Sequence, residues 1–526
     1  MTNWLDRAID SVAPVWGAKR HRARVAIDIM SDSSFVGASS THRSLQNWTP
    51  RAKSADDDIG SGSALSKLRA RSRDLNRNDA LAAGIGNTIV LSTIGGGLKL
   101  QPKPDWKAAK LKTEEAANEW GDNTSGLWRL WAESTNCDIT RTQNFYGLQE
   151  LAFRSCLESG DVFTLLAMVQ RDYSMFQLSL QMIEADLVTS KPGTLSDAKN
   201  RIVEGVELDA VGAPIAYHVV NYYPGTSLAF AGGKSRRLRA FTEDGRRREV
   251  LHMFDRRRPG QTRGYPLCAP IIEKLKSLSA YSEAELKAAL VNAFLTAFVK
   301  SERGIGDQET GKVTRPDNFE LGSGNILELV PGEDVQSVGV TRPNAGFDPF
   351  VLAILRQCGA AVGVPHEVII KHFTASYSAA RAALLEAWRF FRNRRHFVAD
   401  AFCTPVYEAW LEEAIGLGLI SAPGFFDDPA IRAAYLQCEW TGDAAGQINP
   451  VDEIDAAERR IKAKLSTREQ ETMELTGRVF DDNVRQLAKE EKMLRDSGLS
   501  VETDPAPKPG PTPDQREKKQ EDTDAA

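Results

Sequence analysis

The sequence predicts an α+β fold in which β-containing outer parts are joined to long helices. Three observations carry that prediction. From about residue 160 to "REVLHMFD" the chain runs in short apolar, partly alternating stretches, as half-buried strands do. Two long tracts of helical period, starting near Cys268 and Ser378, stand on either side of a polar segment rich in Gly, Pro and Thr. A helical C-terminal region then gives way to a Pro-rich, charged tail, which is expected to be disordered.

The bulk numbers bound the function. A chain of 526 residues has room for about three ordinary domains. With 42% hydrophobic and 26% charged residues it reads as soluble and globular. A formal net charge of -5 excludes a generally basic nucleic-acid binder. The six cysteines form no C-x-x-C pair, so reduced, buried thiols are expected, with no zinc site. Neither a signal peptide nor a membrane span is expected, and the apolar "LKAALVNAFLTAFVK" is too short to cross. A path across a barrier would therefore need a ring around a hole.

The elements follow in order. Residues 1–24 read as a short amphipathic helix and the basic arm "KRHRAR", and 31–63 as loop. One helix is expected over Ala64–Ile94, because Leu68, Leu75, Ala82 and Ile89 recur every seven residues and Gly95–Gly97 stop it. "LWRLWAE" puts Leu127, Leu130 and Trp131 on one side of a helix. "GDVFTLLAMVQ" and "FQLSLQMIEADLV" read as strands. "RIVEGVELDAVGAPIAYHVV" reads as two more strands, turning at Asp209–Gly212, and "RRLRAFTEDGRRREV" as a hairpin.

A long helix is expected over Cys268–Lys300, with Ile271, Leu275, Leu278, Leu286, Leu290, Phe294 and Phe298 on one face. The polar excursion 301–346 holds one strand-like run, "NILELV", and helical period resumes at "DPFVLAILRQCGAAVGVP". Ser378–Ile415 reads as a helix with a kink at Pro405. Asn449 with Pro450 starts the next helix. Ser466 with Glu469 forms a capping box for a last one through "EEKMLRD".

Tests for chemistry return little. "GGKS" at Gly232–Ser235 ends like a phosphate loop, but Leu228 stands where that loop needs glycine, and no helix is expected after it. His366 and His372 are six apart, not the four that put two histidines on one metal. No catalytic residue, cofactor or metal is expected.

Positive charge is concentrated in "FDRRRPGQTRGYP", with Arg256, Arg257, Arg258 and Arg263, and along one helix at Arg389, Arg392 and Arg395. Three-residue spacing suggests that the latter share a face. For the helix group a solvated face or salt bridges to a neighbouring subunit come first and phosphate contact second; the loop group invites a nucleic-acid grip, which the mild acidity of the chain makes only part of the answer.

Several phrases together resemble the lambda-like family of tailed-phage portal proteins. They are "LRARSRDLNRNDALAAGIGNTIVLSTIGGGLKLQP", "LQELAFRSCLESGDVF", "QMIEADLV", "VEGVELDAVGAPIAYHV", "HMFDRRRPGQTRGYPLCAPIIEKLKSLSAYSEAELKAA" and "SYSAARAALLEAWRFF". The resemblance implies a ring, a dodecamer, at one vertex of the virion capsid. Through it DNA enters at packaging and leaves at ejection. The implied partners are the terminase large subunit, head–tail connector or adaptor proteins, major capsid and scaffold proteins and double-stranded DNA, with no membrane.

It also implies a division of the chain: an N-terminal arm (1–63), a wing (64–267), stem helices (268–300 and 347–364) around a clip (301–346), a tunnel loop (365–377), a long wing helix and following segment (378–440), a helical crown region (441–497) and a tail (498–526). His366, Lys371, His372 and Tyr377 would be the tunnel-loop residues facing the channel. Twelve copies at -5 carry on the order of -60, which favours sliding of DNA over gripping. The resemblance gives the arginine loop two candidate jobs, pairing with acids of the adjacent subunit first and touching passing DNA second, so replacing Arg256, Arg257 and Arg258 by alanine is expected to break ring assembly. The competing reading is a packaging motor or nuclease, and it lacks a complete phosphate loop.

Overall fold

The computed structural model describes residues 15–16, 19, 22–23, 42–45, 47–59, 63–190, 200–223, 234–293, 297–301, 333–337, 346–373, 376–446 and 449–497, with backbone alone at 63, 291–293, 297–301 and 333–337. The expected N-terminal helix and basic arm lie almost wholly outside the described residues, as do "NILELV" and the tail. The chain divides into two compact units. The smaller holds Met1–Ile59 and Arg258–Gln261. Its helix α1 (Ala55–Ile59) starts where Ser54 Oγ accepts from Asp57 N at 3.1 Å.

The larger unit mixes helices and antiparallel sheets. The tract expected as one helix is two, α2 (Ser63–Asn78) and α3 (Ala80–Thr93). Asp79 divides them: it leaves the helical region (φ -110°), and its carboxylate accepts from Leu81 N at 3.0 Å and Ala82 N at 2.9 Å. Periodicity could not reveal this, because Leu75, Ala82 and Ile89 stay buried across the break. Strand β1 (Lys99–Pro102) follows the glycine stop.

Helix α4 (Glu114–Ala132) buries Ala117, Gly121, Thr124, Trp128 and Trp131. Leu130, expected beside Trp131, is 64% exposed. It lies two residues, about 200°, from Trp128, which sets the buried face. Helix α5 (Phe145–Ser159) ends at Gly160.

Strands β2 (Asp161–Met168) and β3 (Leu178–Glu184) form as expected. The next segment gives three strands rather than two: β4 (Arg201–Val203), β5 (Val206–Leu208) and β6 (Pro214–Val220). Glu204 and Gly205 take positive φ and add a turn. β7 (Ser235–Arg239) and β8 (Val250–Phe254) complete two sheets, ordered β3-β2-β8 and β4-β5-β6-β7. Ser235 therefore opens a strand, not a phosphate-binding helix.

Helix α6 covers Ile272–Ala293, shorter than the expected Cys268–Lys300. Its would-be last turn is β9 (Ala297–Ser301), paired antiparallel with β10 (Glu333–Ser337). A short apolar run fits helix or strand equally, and the partner that decides lies far along the chain. Helix α7 (Phe347–Val362) ends at Gly363 (φ 88°). The short α8 (His366–Ile370) follows.

Helix α9 (Tyr377–Val398) passes through a π-helical turn, Ala399–Cys403, into α10 (Thr404–Gly416). The wide turn absorbs Pro405, which lacks an N–H and clashes with the carbonyl four residues back. Then come α11 (Pro429–Tyr435), β11 (Cys438–Thr441), which pairs with β1, and α12 (Pro450–Lys462), which starts after Asn449 as expected, although the Asn449 side chain donates to Asp452 at 2.6 Å and accepts from no helix N–H.

The last expected helix splits into α13 (Arg468–Thr476) and α14 (Phe480–Asp496) at Gly477, φ 68°. Its cap is Thr467, whose Oγ1 accepts from Gln470 N at 3.1 Å, one residue beyond the expected Ser466.

An aromatic core joins α4, α5 and α10. Trp128 meets Phe145, Tyr407 and Trp410 edge-on at 5.1, 5.8 and 5.2 Å, the arrangement aromatic rings prefer. A smaller cluster, with Phe163, Val206, Tyr217 and Val250, packs residues of the two sheets together.

Candidate functional site

Two groups of residues could carry function: the arginine-rich loop at the end of β8, and the segment from α8 into α9. In the first, the fold turns inward. Asp161, the first residue of β2, is fully buried. Its carboxylate accepts from Arg69 Nη2 at 2.9 Å, Arg263 Nε at 2.5 Å and Gly264 N at 3.3 Å, and lies 3.2 Å from His252 Nε2. Arg263 also donates to the carbonyls of Val188 (2.7 Å) and Ala185 (2.8 Å). Arg73 reaches Asp186 at 2.5 Å on the rim. The His252 ring is stacked on Phe163 at 4.1 Å and on Phe254 at 4.4 Å.

Burial raises the Asp161 carboxyl, but Arg263, Arg69 and the His252 hydrogen bond outweigh it and hold it far below the usual range. Burial in turn pushes the His252 imidazole and the Arg69 guanidinium down. Gly264 is required here, since a side chain would strike the Gly160 carbonyl.

Arg263 is thus a correction to its reading as a surface contact: its side chain is 3% exposed and tied to Asp161. Arg257 stacks on Tyr265 at 4.8 Å, donates to its hydroxyl at 3.1 Å and reaches Asp255 at 3.3 Å. Within the smaller unit, Arg258 pairs with Asp58 and donates to the Lys53 carbonyl at 3.2 Å. Arg256, Arg257 and Arg258 remain exposed at the surface.

Along α9 the expected three-arginine face does not hold together. Arg389 and Arg392 are 82% and 56% exposed. Arg395 instead donates to the carbonyls of Thr93 (2.8 Å), Ser92 (3.2 Å) and Asp443 (2.6 Å) and covers the Trp388 ring. Two three-residue steps rotate a side chain about 120° around a helix, enough to turn Arg395 inward. Arg381 and Leu385, which the sequence reading passed over, share the outward face.

The segment expected as a loop over 365–377 is partly helical. His366 opens α8 and its Nδ1 lies 2.9 Å from Glu367. Lys371 ends α8 at φ 54°, a left-handed position, and His372 N donates to Glu367 O at 3.1 Å. Tyr377 begins α9 and is 54% exposed. Phe373, exposed between them, is a further aromatic that residue spacing gave no reason to select. Among the described residues no group of three or more His, Cys, Asp or Glu could hold a metal ion, and no helix is long and apolar enough to cross a membrane.

Residues 41–395 match the family described as phage portal protein, lambda family. The chain belongs to that family. Portal protein B of Escherichia phage lambda is 26% identical over 490 residues, 88% of this chain and 90% of that protein. The portal protein of Escherichia phage N15 is 26% identical over 483 residues, 87% and 89% of the two chains. The probable portal protein of Halomonas phage phiHAP-1 is 24% identical over 466 residues, 86% and 85% of the two.

Among solved structures, a chain from the neck of an empty gene transfer agent particle with C6 symmetry aligns over 79% of this chain and 96% of its own, at 14% identity and a TM-score of 0.45. A chain from the neck of the native particle with C12 symmetry aligns over 73% and 98%, at 17% identity and a TM-score of 0.37. Likenesses that loose carry no argument about this portal-family chain.

Proposed function

We propose that this chain is one subunit of a portal ring at a capsid vertex. Double-stranded DNA would enter through the ring at packaging and leave through it at ejection. The ring would also dock terminase and head–tail connector proteins. It is a structural component, not an enzyme. The observation that carries the reading is membership of the lambda portal family across residues 41–395.

The surface of the subunit supports it. Helices α6 and α7 pair through Tyr281, which stacks on Phe347 at 5.5 Å and meets Phe350 at 5.1 Å, and through Lys274 Nζ on Gln357 Oε1 at 2.6 Å. Beyond Leu278 the apolar stripe of α6 leaves the core, with Leu286 63% and Leu290 53% exposed, and Phe350 on α7 is 49% exposed. Such a face favours cover by neighbouring copies. On this reading α6 and α7 are the stem and the segment between them the clip. Lys371, His372, Phe373 and Tyr377 would face the channel, and Arg256, Arg257 and Arg258 an adjacent subunit.

Negative-stain microscopy of the purified full chain is the test. Rings with a central hole are expected. A chain that stays monomeric under every assembly condition overturns the reading.

A further inference from the structure

A ring of more than two identical subunits closes through heterologous contacts, so each copy needs two different patches that fit one another. Resting on the ring reading, we propose that the outward stripe of α9 in one copy docks against the outward stripe of α12 in the next.

The α9 stripe is basic with an apolar centre. Arg381, Leu385, Arg389 and Arg392 fall at i, i+4, i+8 and i+11, within about 80° of one another around the helix, while Ala387, Phe391 and Val398 bury the opposite side. Leu385 is 59% exposed. Within the chain these charges are weakly held. Among the described residues Arg389 pairs only with Glu386 on its own helix, at 3.2 Å, and Arg392 comes no closer than 4.0 Å to Glu474. Arg381 has no ion-pair partner among the described residues.

The α12 stripe is the complement. Val451, Ile454, Asp455, Glu458 and Lys462 fall at i, i+3, i+4, i+7 and i+11; Lys462 Nζ reaches Glu458 at 3.1 Å, and Asp455 with Glu458 leaves the stripe net acidic. Val451 is 69% and Ile454 48% exposed, and the Glu458 side chain is 59% exposed. On the far side of α12, Arg460 grips the buried Glu471 at 2.6 and 2.7 Å. That clamp fixes the helix with its acidic, apolar face outward.

Pairing α9 with α9 would set arginine against arginine, and α12 with α12 would bring two net-acidic stripes together. Only the mixed pair joins opposite charges and also buries Leu385 against Val451 and Ile454. The exposed leucine argues for a protein partner rather than DNA, because a phosphate backbone offers it no apolar surface.

The experiment uses three full-length chains: wild type, Arg389→Glu with Arg392→Glu, and Asp455→Lys with Glu458→Lys. Ring formation is read by native mass spectrometry, and folding by circular dichroism. Each variant alone should fold as wild type does and lose at least tenfold in ring yield. An equimolar mixture of the two should recover rings, all with even subunit number, since every junction then pairs opposite charges. Variants that each form rings as wild type does overturn the proposal and leave the ring reading intact. Variants that form normal rings but bind duplex DNA less tightly assign the stripe to DNA and overturn it too. A wild-type chain that never forms rings removes the ring reading and the proposal together.

Discussion

Replacing Asp161 by asparagine keeps the shape of the side chain and removes its charge. Two guanidiniums, Arg69 and Arg263, then remain at 4% and 3% side-chain exposure without their shared counter-ion. Breaking a buried ion pair by removing one partner costs about 3–5 kcal/mol. Part of the compensation survives, since Asp186 stands 3.6 Å from Arg69 and the Ser159, Ala185 and Val188 carbonyls still accept. The loss should therefore fall near the lower end, about 3 kcal/mol. Urea unfolding followed by tryptophan fluorescence measures it, because Trp128, Trp131 and Trp410 sit in the core.

The pH dependence gives an independent check. The folded Asp161 carboxyl titrates below its unfolded value of about 3.9. Its contribution is complete above that value and is lost as pH falls. The gap between wild type and variant should thus be full at pH 7 and narrow below about pH 4. An asparagine variant within about 1 kcal/mol of wild type at pH 7 would refute the claim that Asp161 holds the two arginines in place.

Glu207 should show the same sign at the other sheet. Its hydrogen bonds from Arg237 (2.8 Å) and Asn200 (2.8 Å) hold it at about 2. Acid melting of the wild type should therefore include a step between about pH 4.5 and pH 2 that Glu207→Gln lacks, and identical acid profiles would count against it. Gly264→Ala forces a methyl group onto the Gly160 carbonyl and should cost about 1–3 kcal/mol in the same urea assay. Leu286→Gln with Leu290→Gln alters only exposed positions, so the stability of the isolated subunit should change by less than about 0.5 kcal/mol while ring yield on size exclusion falls. Unchanged ring yield would separate these residues from the subunit contact.

Much of the architecture was legible because period is local. The strands β2 and β3, the α7 helix, the start of α12 after Asn449 and the glycine stop at Gly95 all follow from patterns within one or two turns. The misses share a different cause. Asp79 and Gly477 interrupt tracts whose apolar spacing continues across the break, so the stripe survived while the helix did not. Strand β9 was hidden because its partner, β10, begins more than thirty residues later. The Asp161 cluster draws on α2, β2, β8 and the loop before α6, four separate stretches whose meeting only the fold decides. The portal family was visible in the order of many phrases, none of which names a site.

The arginine-rich loop shows how such a subunit reconciles local positive charge with passage of DNA. Arg263 is enclosed with Asp161, Arg258 is paired with Asp58, and Arg257 lies on Tyr265 beside Asp255. A phosphate contact on duplex DNA steepens the salt dependence of binding by about 0.9 per neutralised charge, so a ring repeating several such contacts around its bore would hold DNA rather than pass it. Arginines engaged within the subunit do not present that grip. Arg263 does what a guanidinium does best in a buried setting, fixing several carbonyls and a carboxylate at once. Arg263, which the sequence offers as a surface contact, becomes in this chain, with Arg69 and His252, part of the cluster around Asp161 that ties α2, β2 and β8 together.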